Sequence, residues 1–322
     1  MERRTESAPQ QQKSASKKRA PRNRTLELSD ADRQRLTRKL LKHQAIGSAT
    51  RSDGVICGDC MQLASELPEA SVGLLILDPP YNLSRKFGAR AFRKQPIEEY
   101  TTWLEKVLLA FLPALTPNAT VYICGDWLTS VSIFEVANRH LFVRNRITWE
   151  REKGRGAKQN WKNNSEDIWF CTVGQDFVFN VDAVRHRRRV IAPYRNQAGR
   201  PKDWQESAAG NYRDTFPSNL WTDISIPFWS MPENTDHPTQ KSEKLVAKLI
   251  LASSAKGDLV LDPFTGSGST CVVAQKLERR FLGMEWEMEY ALLALRRLEL
   301  AQDQRTIQGY HDGVFWPRNT TK

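Results

Sequence analysis

Two short runs of this sequence hold residue types that could do chemistry together. The first is Asp78-Pro79-Pro80-Tyr81. Proline fixes its own φ, lacks an amide hydrogen and restricts the residue before it, so paired prolines neither continue a strand nor enter a helix interior. Asp78 and Tyr81 therefore sit on a stiff, extended corner whose carbonyls have no local amide competing for them. A carboxylate, a fixed carbonyl and an aromatic ring suit an exocyclic amine on a planar base, with two acceptors for its two hydrogens and a ring for stacking. The second run is Asp262-Pro263-Phe264-Thr265-Gly266-Ser267-Gly268-Ser269-Thr270. A strand entering a glycine turn and then a helix has the shape of a nucleotide-type cofactor loop. After Gly268 the next glycine is Gly283, so the dinucleotide spacing is incomplete, and the Gly-Lys-Ser/Thr of an ATP or GTP loop is missing. Glu285 ends the following strand, where an acid typically holds ribose hydroxyls.

Both runs have to be positioned by alternating elements. GVICGD and VGLLILD read as short strands ending in an acid, with the helix-like CMQLASELPEAS between them. A helix over 97–114, a strand TVYICG, a helix over 128–139, and strands NRITWER and DIWFCTV follow. Later come a helix LVAKLILASSA, a strand DLVLDPF, a helix STCVVAQKL and a strand FLGMEW. This alternation predicts an α/β fold around a mostly parallel sheet. Ligands of such sheets bind beyond the carboxyl ends of the strands, which singles out Asp59, Asp78, Asp126, Asp262 and Glu285.

Composition bounds the partners. The chain has 322 residues and a net charge of +11, and residues 1–51 hold fourteen Lys/Arg against five Asp/Glu. Residues 1–24 are too polar to offset the entropy of ordering and are expected to form a disordered basic tail, either solubilising or in contact with nucleic acid. LSDADRQRLTRKLLKHQ follows as a short amphipathic helix, with Ser29 as cap, Asp32 in the capping-box position and Leu36, Leu40 and Leu41 at helical spacing. No apolar run is long enough for a transmembrane helix and no signal-like segment opens the chain, so a cytoplasmic protein with no membrane partner is expected. Five cysteines do not suit a disulfide framework, and Cys57-x-x-Cys60 lies partly in an apolar strand without a second pair nearby, so no metal is expected.

Asp-Pro-Pro-Tyr after a strand, together with Asp-Pro-Phe-x-Gly-Ser-Gly before a helix, resembles the S-adenosylmethionine-dependent DNA amino-methyltransferases. The catalytic tetrapeptide precedes the cofactor glycines, as in the permuted group called β. Gly58-Asp59, Ile147-Thr148-Trp149, Glu166-Asp167-Ile168 and His237-Pro238-Thr239-Gln240-Lys241 are similar to further family elements, with Ser242 where a proline is usual. The resemblance covers roughly residues 52–302. It implies a Rossmann-like methyltransferase fold, permuted, with a small inserted target-recognition region, and S-adenosyl-L-methionine as cofactor. It also implies methylation of adenine N6 in double-stranded DNA by base flipping, with cytosine N4 as the alternative. Asp78, Pro79, Pro80 and Tyr81 would be catalytic. Asp59, Asp262, Phe264, Gly266, Gly268, Glu285 and Trp286 would hold the cofactor, with Thr239 and Lys241 at its carboxylate end. A second copy of the chain and a cognate restriction endonuclease are further partners that such relatives suggest.

The corresponding division is a tail (1–24), an N-terminal helix and linker (25–51), a catalytic half (52–182), a target-recognition region (183–236), a cofactor-binding half (237–302) and a C-terminal extension (303–322). Two basic stretches are expected to face DNA. One is the loop with Lys153, Arg155, Lys158, Trp161 and Lys162. The other is 183–202, with seven Lys/Arg and no acid, including Arg187, Arg188 and Arg189. Trp204, Tyr212, Trp221 and Trp229 are expected to form the small region's own core.

Overall fold

The computed structural model describes residues 20–49, 53–88, 90–151, 158–190, 194–207 and 210–318. In chain order the strands are β1 (Gly54–Cys57), β2 (Val72–Leu77), the hairpin β3 (Arg85–Phe87) and β4 (Arg90–Phe92), β5 (Leu115–Gly125), β6 (Phe142–Glu150) and β7 (Ser165–Thr172). They continue with β8 (His186–Arg189), β9 (Gln205–Ser207), β10 (Gly210–Thr215), β11 (Leu220–Trp221), β12 (Leu259–Asp262), β13 (Arg280–Glu285), β14 (Tyr310–His311) and β15 (Val314–Phe315). The α-helices are α1 (Asp30–Thr37), α2 (Ile46–Ala49), α3 (Cys60–Leu63), α4 (Ile97–Phe111), α5 (Thr129–His140), α6 (Glu243–Ser253), α7 (Ser269–Lys276) and α8 (Met288–Asp303).

Eight strands make one sheet in the order β1-β13-β12-β2-β5-β7-β6-β11, and of these β7 runs against the other seven. The α/β fold with a mostly parallel sheet is therefore present. Leu74 and Ile76 of β2 join one apolar cluster while Leu75 and Leu77 join another. Tyr122 and Cys124 alternate with Val121 and Ile123 along β5, and Val260 with Leu259 and Leu261 along β12. Side chains of a strand alternate between faces, so apolar residues at both parities require cover on both sides. Helices α6, α7 and α8 cover the first face, and α4 and α5 the second.

A second, five-stranded sheet has the order β14-β15-β8-β10-β9. Strands β14 and β15, at one side of it, come from the C-terminal stretch, and Phe315 pairs with His186 across the two segments. Strand β11, also from the stretch 183–236, instead extends the edge of the main sheet beside β6.

Three local expectations differ from the structure. The run CMQLASELPEAS forms one turn of helix and a 3-10 turn, because the chain has to reverse within a few residues to enter β2. Helix α1 has the capping box of Ser29 and Asp32 but ends at Thr37. Leu40 and Leu41 lie beyond it, and the Leu41 amide donates to the Val55 carbonyl at 3.0 Å, which draws the chain onto the sheet edge. Of the four aromatics assigned to a separate small core, Trp204 is buried, but Trp221 belongs to the main core and Trp229 is 51% exposed. The two-residue strand β11, added at the edge of the main sheet, carries Trp221 with it. Most of the basic tail, residues 1–19, lies outside the described residues. From residue 20 the chain is in place, with Arg24 and Leu26 amides donating to the carbonyls of Trp229 and Asn234. Among the described residues no helix is long and apolar enough to cross a membrane.

Candidate active site

The five acids singled out at strand ends stand on five neighbouring parallel strands. In sheet order they are Asp59 after β1, Glu285 on β13, Asp262 on β12, Asp78 after β2 and Asp126 after β5. Val260 and Leu261 pair with Leu74 and Leu75, so β2 and β12 are adjacent and end side by side. Two positions almost two hundred residues apart in sequence thereby open onto one cavity of about 30 Å³. Asp78, Thr239, Lys241, Asp262, Phe264 and Gly266 all line it.

The Asp78–Tyr81 corner is fixed from outside. The Tyr100 hydroxyl on α4 donates to the Pro80 carbonyl at 2.9 Å. Asn82 is buried, and its side-chain amide donates to the Gln95 carbonyl (2.9 Å) while its oxygen accepts from the Gln95 amide (2.8 Å). The Tyr81 hydroxyl donates within 3.1 Å of both Asp78 Oδ1 and Glu166 Oε2. Asn82 and Tyr100 carry no signal in the sequence beyond their neighbourhood, because each works through a backbone contact with a remote segment.

Lys241, expected at the cofactor's carboxylate end, lines the cavity and makes its side-chain contacts with the Asp78–Tyr81 corner. Its ammonium lies 2.8 and 2.7 Å from the two oxygens of Asp78, 3.1 Å from the Tyr81 hydroxyl and 3.2 Å from Glu166. Glu166, on β7 and 3% exposed, is also paired with Arg151. Two carboxylates and two cations thus form a buried, locally neutral set. Burial raises the pKa of Asp78, Lys241 opposes that rise, and the charge of Glu166 adds to it. Burial also works against ionised Glu166, but Lys241 and Arg151 outweigh it and hold the carboxyl below its usual range. For Lys241 itself the desolvation is overcome by Asp78 and Glu166, and the ammonium is held above its ordinary pKa.

The loop after β12 owes its form to backbone. Gly266 and Gly268 have φ of +51° and +80°, a region where side chains are strained. Gly268 caps α7 and passes so close to α8 that an added Cβ would lie 2.5 Å from Ala294 Cβ. The Glu285 carboxylate accepts from the Gly266 amide (2.9 Å) and the Glu287 amide (2.7 Å). Behind the loop the guanidinium of Arg297, 4% exposed, donates to the Ser267 carbonyl (2.9 Å), the Ser269 hydroxyl (3.0 Å) and Glu243 (3.0 Å). Burial pushes both Asp262 and Glu285 up to about 7. Asp59 is half-buried and its carboxylate caps α3 by accepting from the Met61 amide at 2.9 Å. Trp286 is 54% exposed beside Glu285.

Of the basic residues expected to face DNA, Lys153 and Arg155 lie outside the described residues. Lys158 and Lys162 are exposed, and Trp161 between them is 92% exposed. Arg188 and Arg189 are exposed on β8. Arg187 is engaged within the chain, by an ion pair with Asp214 at 2.7 Å and by lying over the Trp316 ring at 5.3 Å.

A mostly parallel sheet with one reversed strand, a glycine loop beside a rigid Asp-Pro-Pro-Tyr corner and a row of acids along the strand ends define a Rossmann-like methyltransferase. The family model described as DNA methylase matches residues 72–296. The chain is 32% identical over 256 residues to the DNA adenine methyltransferase YhdJ of Escherichia coli (strain K12), across 77% of this chain and 83% of that protein. The cytosine-N4-specific PvuII DNA methyltransferase superposes with a TM-score of 0.58 at 19% identity, over 79% of this chain and 92% of that one. The M1.HpyAVI–SAM complex superposes with a TM-score of 0.53 at 23% identity, over 76% and 98% of the respective chains. The structural likenesses concern the fold. The chain belongs to the S-adenosylmethionine-dependent DNA amino-methyltransferases, which act on adenine N6 or cytosine N4, and its Asp-Pro-Pro-Tyr corner precedes its glycine loop as in their permuted β group.

The side chains along the strand ends offer the acceptors that this family's methyl donor needs. S-adenosylmethionine presents an ammonium, ribose hydroxyls, an adenine amine and a sulfonium, all seeking acceptors or negative charge. Asp59, Glu285, Asp262 and Asp78 supply carboxylates in sequence along four adjacent strands. Gly266 leaves open the space that a Cβ would take at 2.8 Å from the His237 ring.

Proposed function

We propose that this chain methylates the N6 amino group of adenine in duplex DNA. The observation that carries the reading is the single cavity shared by Asp78 and by the Asp262–Gly266 loop. The adenine assignment rests on Asp at the first catalytic position and on the 32% identity to an adenine methyltransferase. The amino group is inaccessible within a base pair, so the nucleotide leaves the stack before reaction. Tyr81 offers a ring whose hydroxyl is tethered, and the extruded base stacks on it. Asp78 and the Pro79 carbonyl accept the two amine hydrogens and turn the nitrogen lone pair towards the cofactor loop. Bound S-adenosylmethionine supplies a methyl group on a positively charged sulfur. Holding the nitrogen in line with that methyl is worth up to about 7–11 kcal/mol of proximity in favourable cases. Positive charge then develops on nitrogen, and the fixed acceptors stabilise it more than they stabilise the neutral base. Asp78, whose proton affinity is raised by burial, can take the proton that the nitrogen sheds.

Asp262, Gly266, Gly268 and Phe264 would bound the methionine end of the cofactor, Glu285 its ribose, and Asp59 and Trp286 its adenine. Lys158, Lys162, Arg188 and Arg189 would meet DNA phosphates.

Incubation with duplex DNA and methyl-labelled cofactor, followed by digestion to nucleosides, tests the reading. Label on N6-methyladenine is expected; label on cytosine overturns the base assignment, and label only in a parallel incubation with RNA overturns the substrate class. Asp78→Ala is expected to lower kcat by about 10³-fold or more while cofactor Kd stays within a few-fold.

A further inference from the structure

Lys241 stands between the two functional runs, in the segment leading into α6, and could serve either. Its position along the chain, next to Thr239 and close to the glycine loop, points to the cofactor. Its contacts point elsewhere: Asp78 at 2.7 and 2.8 Å, the Tyr81 hydroxyl at 3.1 Å and Glu166 at 3.2 Å, with the ammonium nitrogen 5.3 Å from the centre of the Tyr81 ring. The backbone is held from behind, since the Ser269 hydroxyl donates to the Lys241 carbonyl at 2.8 Å. The side chain is 10% exposed, so the ammonium has little water with which to exchange these partners.

We propose that Lys241 is a positioning residue for methyl transfer, which with Glu166 sets the charge and direction of the Asp78 carboxylate and does not bind the cofactor. This rests on the methyltransferase reading and adds a residue to it. Asp78 needs to be a carboxylate to accept a hydrogen of the amine, yet its surroundings disfavour charge. The ionisable groups around it are Tyr81 on its own corner, Cys124 on β5, Glu166 on β7 with Arg151 behind it, Asp262 on β12, and Lys241. Lys241 is the cation in direct contact with it. Glu166 pulls the other way by adding negative charge, while it fixes the ammonium from the far side. Removing Lys241 should therefore make Asp78 easier to protonate, and neutralising Glu166 should make it harder. A disturbance of packing alone has no reason to give opposite signs.

The test compares Lys241→Met, Lys241→Arg and Glu166→Gln with wild type in three measurements: kcat against pH on duplex DNA, cofactor Kd by calorimetry, and the Asp78 carboxyl titration by ¹³C NMR, assigned with Asp78→Asn. In Lys241→Met the acid limb of kcat and the carboxyl titration should move up by about one pH unit or more. Activity near neutral pH should fall roughly tenfold or more and recover as pH rises. Lys241→Arg should restore much of the wild-type profile, and Glu166→Gln should shift the limb downward. Cofactor Kd should stay within about threefold throughout. A Kd raised tenfold or more in Lys241→Met, with the titration unmoved, overturns the proposal and returns Lys241 to the cofactor. Equal displacement in the same direction by both neutralisations overturns it as well. If wild type transfers no label to DNA, the proposed function fails, whereas the carboxyl titration and the binding constants still decide the part played by Lys241.

Discussion

The proline corner and the glycine loop lie side by side at the ends of β2 and β12, yet they are built from different materials. The corner is a charge arrangement. Asp78, Glu166, Lys241 and Arg151 come from four separate segments and compensate one another in a site with little water. The loop is a backbone arrangement, made by two left-handed glycines and by one guanidinium that binds a carbonyl and a hydroxyl from behind. The contrast separates two kinds of damage. Steric changes should act on the loop through folding and cofactor affinity, whereas electrostatic changes should act on the corner through rate and pH dependence.

The sharpest attempt to break the contrast is Gly268→Ala. A methyl group there meets Ala294 at 2.5 Å in a backbone region costly for L-residues, so a loss of about 3–5 kcal/mol of stability is expected. Thermal unfolding and cofactor calorimetry should show a lower Tm and weak binding. A stable variant with normal affinity would mean that the loop is not sterically determined. Next comes Arg297→Met, which takes the buried cation from the Ser267 carbonyl and one of two from Glu243, whose other partner is Lys276 at 2.6 Å. Breaking one partner of a buried pair costs about 3 kcal/mol or more, and denaturant unfolding should register it. Cofactor Kd should rise with it while the acid limb of kcat stays in place, since Arg297 touches the loop and not Asp78.

A pH experiment tests an electrostatic liability of the loop. Asp262 has its folded pKa pushed up to about 7 by burial, against about 3.9 for an unperturbed aspartate. The folded state therefore binds the proton more tightly than the unfolded one. The burial costs stability progressively as pH rises from about 4 to about 7, and in full above that. Asp262→Asn should remove that decline, so that the variant gains on the order of 1–3 kcal/mol relative to wild type between pH 5 and pH 8. Glu285, also raised to about 7, keeps its own share of the slope. Melting curves across that range decide it, and parallel pH profiles for the two proteins would sink the assignment.

The two regions were also unequally legible in the sequence. The strand-ending acids, the proline corner and the glycine turn are local patterns, and period-two alternation located the strands that carry them. Their partners were not local. Nothing around Arg297 marks it as the cation behind a loop thirty residues away, and Lys244 and Lys248 look like the solvated side of α6 until both are seen 2.7 Å from Asp223 in the interior. Lys241 belongs to a legible motif, but its contact with Asp78 is not legible, because position along the chain says little about which way a four-carbon side chain extends. The division of 183–236 met the same limit. β-Strand pairing between β11 and β6, or between β15 and β8, is a long-range choice that short-range patterning does not encode.

The smallest expected effect sits on the corner and asks whether its rigidity matters apart from its charge. Asn82 carries no charge and touches none of the four ionised groups; its side chain closes a pair of hydrogen bonds with the backbone of Gln95. Asn82→Ala removes both, leaving the Gln95 groups to find water, for a stability loss of about 1–2 kcal/mol. The proline pair keeps its own dihedrals, so Asp78 should still be ionised by the same neighbours and the acid limb of kcat should not shift. What loosens is the aim of the Tyr81 ring and the Pro79 carbonyl, and misplacement of reacting groups lowers the rate without changing the charge state. A fall in kcat of roughly tenfold at every pH, with unchanged cofactor Kd, is the expected result. A displaced pH limb instead would mean that the charge set depends on this staple, and that geometry and electrostatics at the corner cannot be separated.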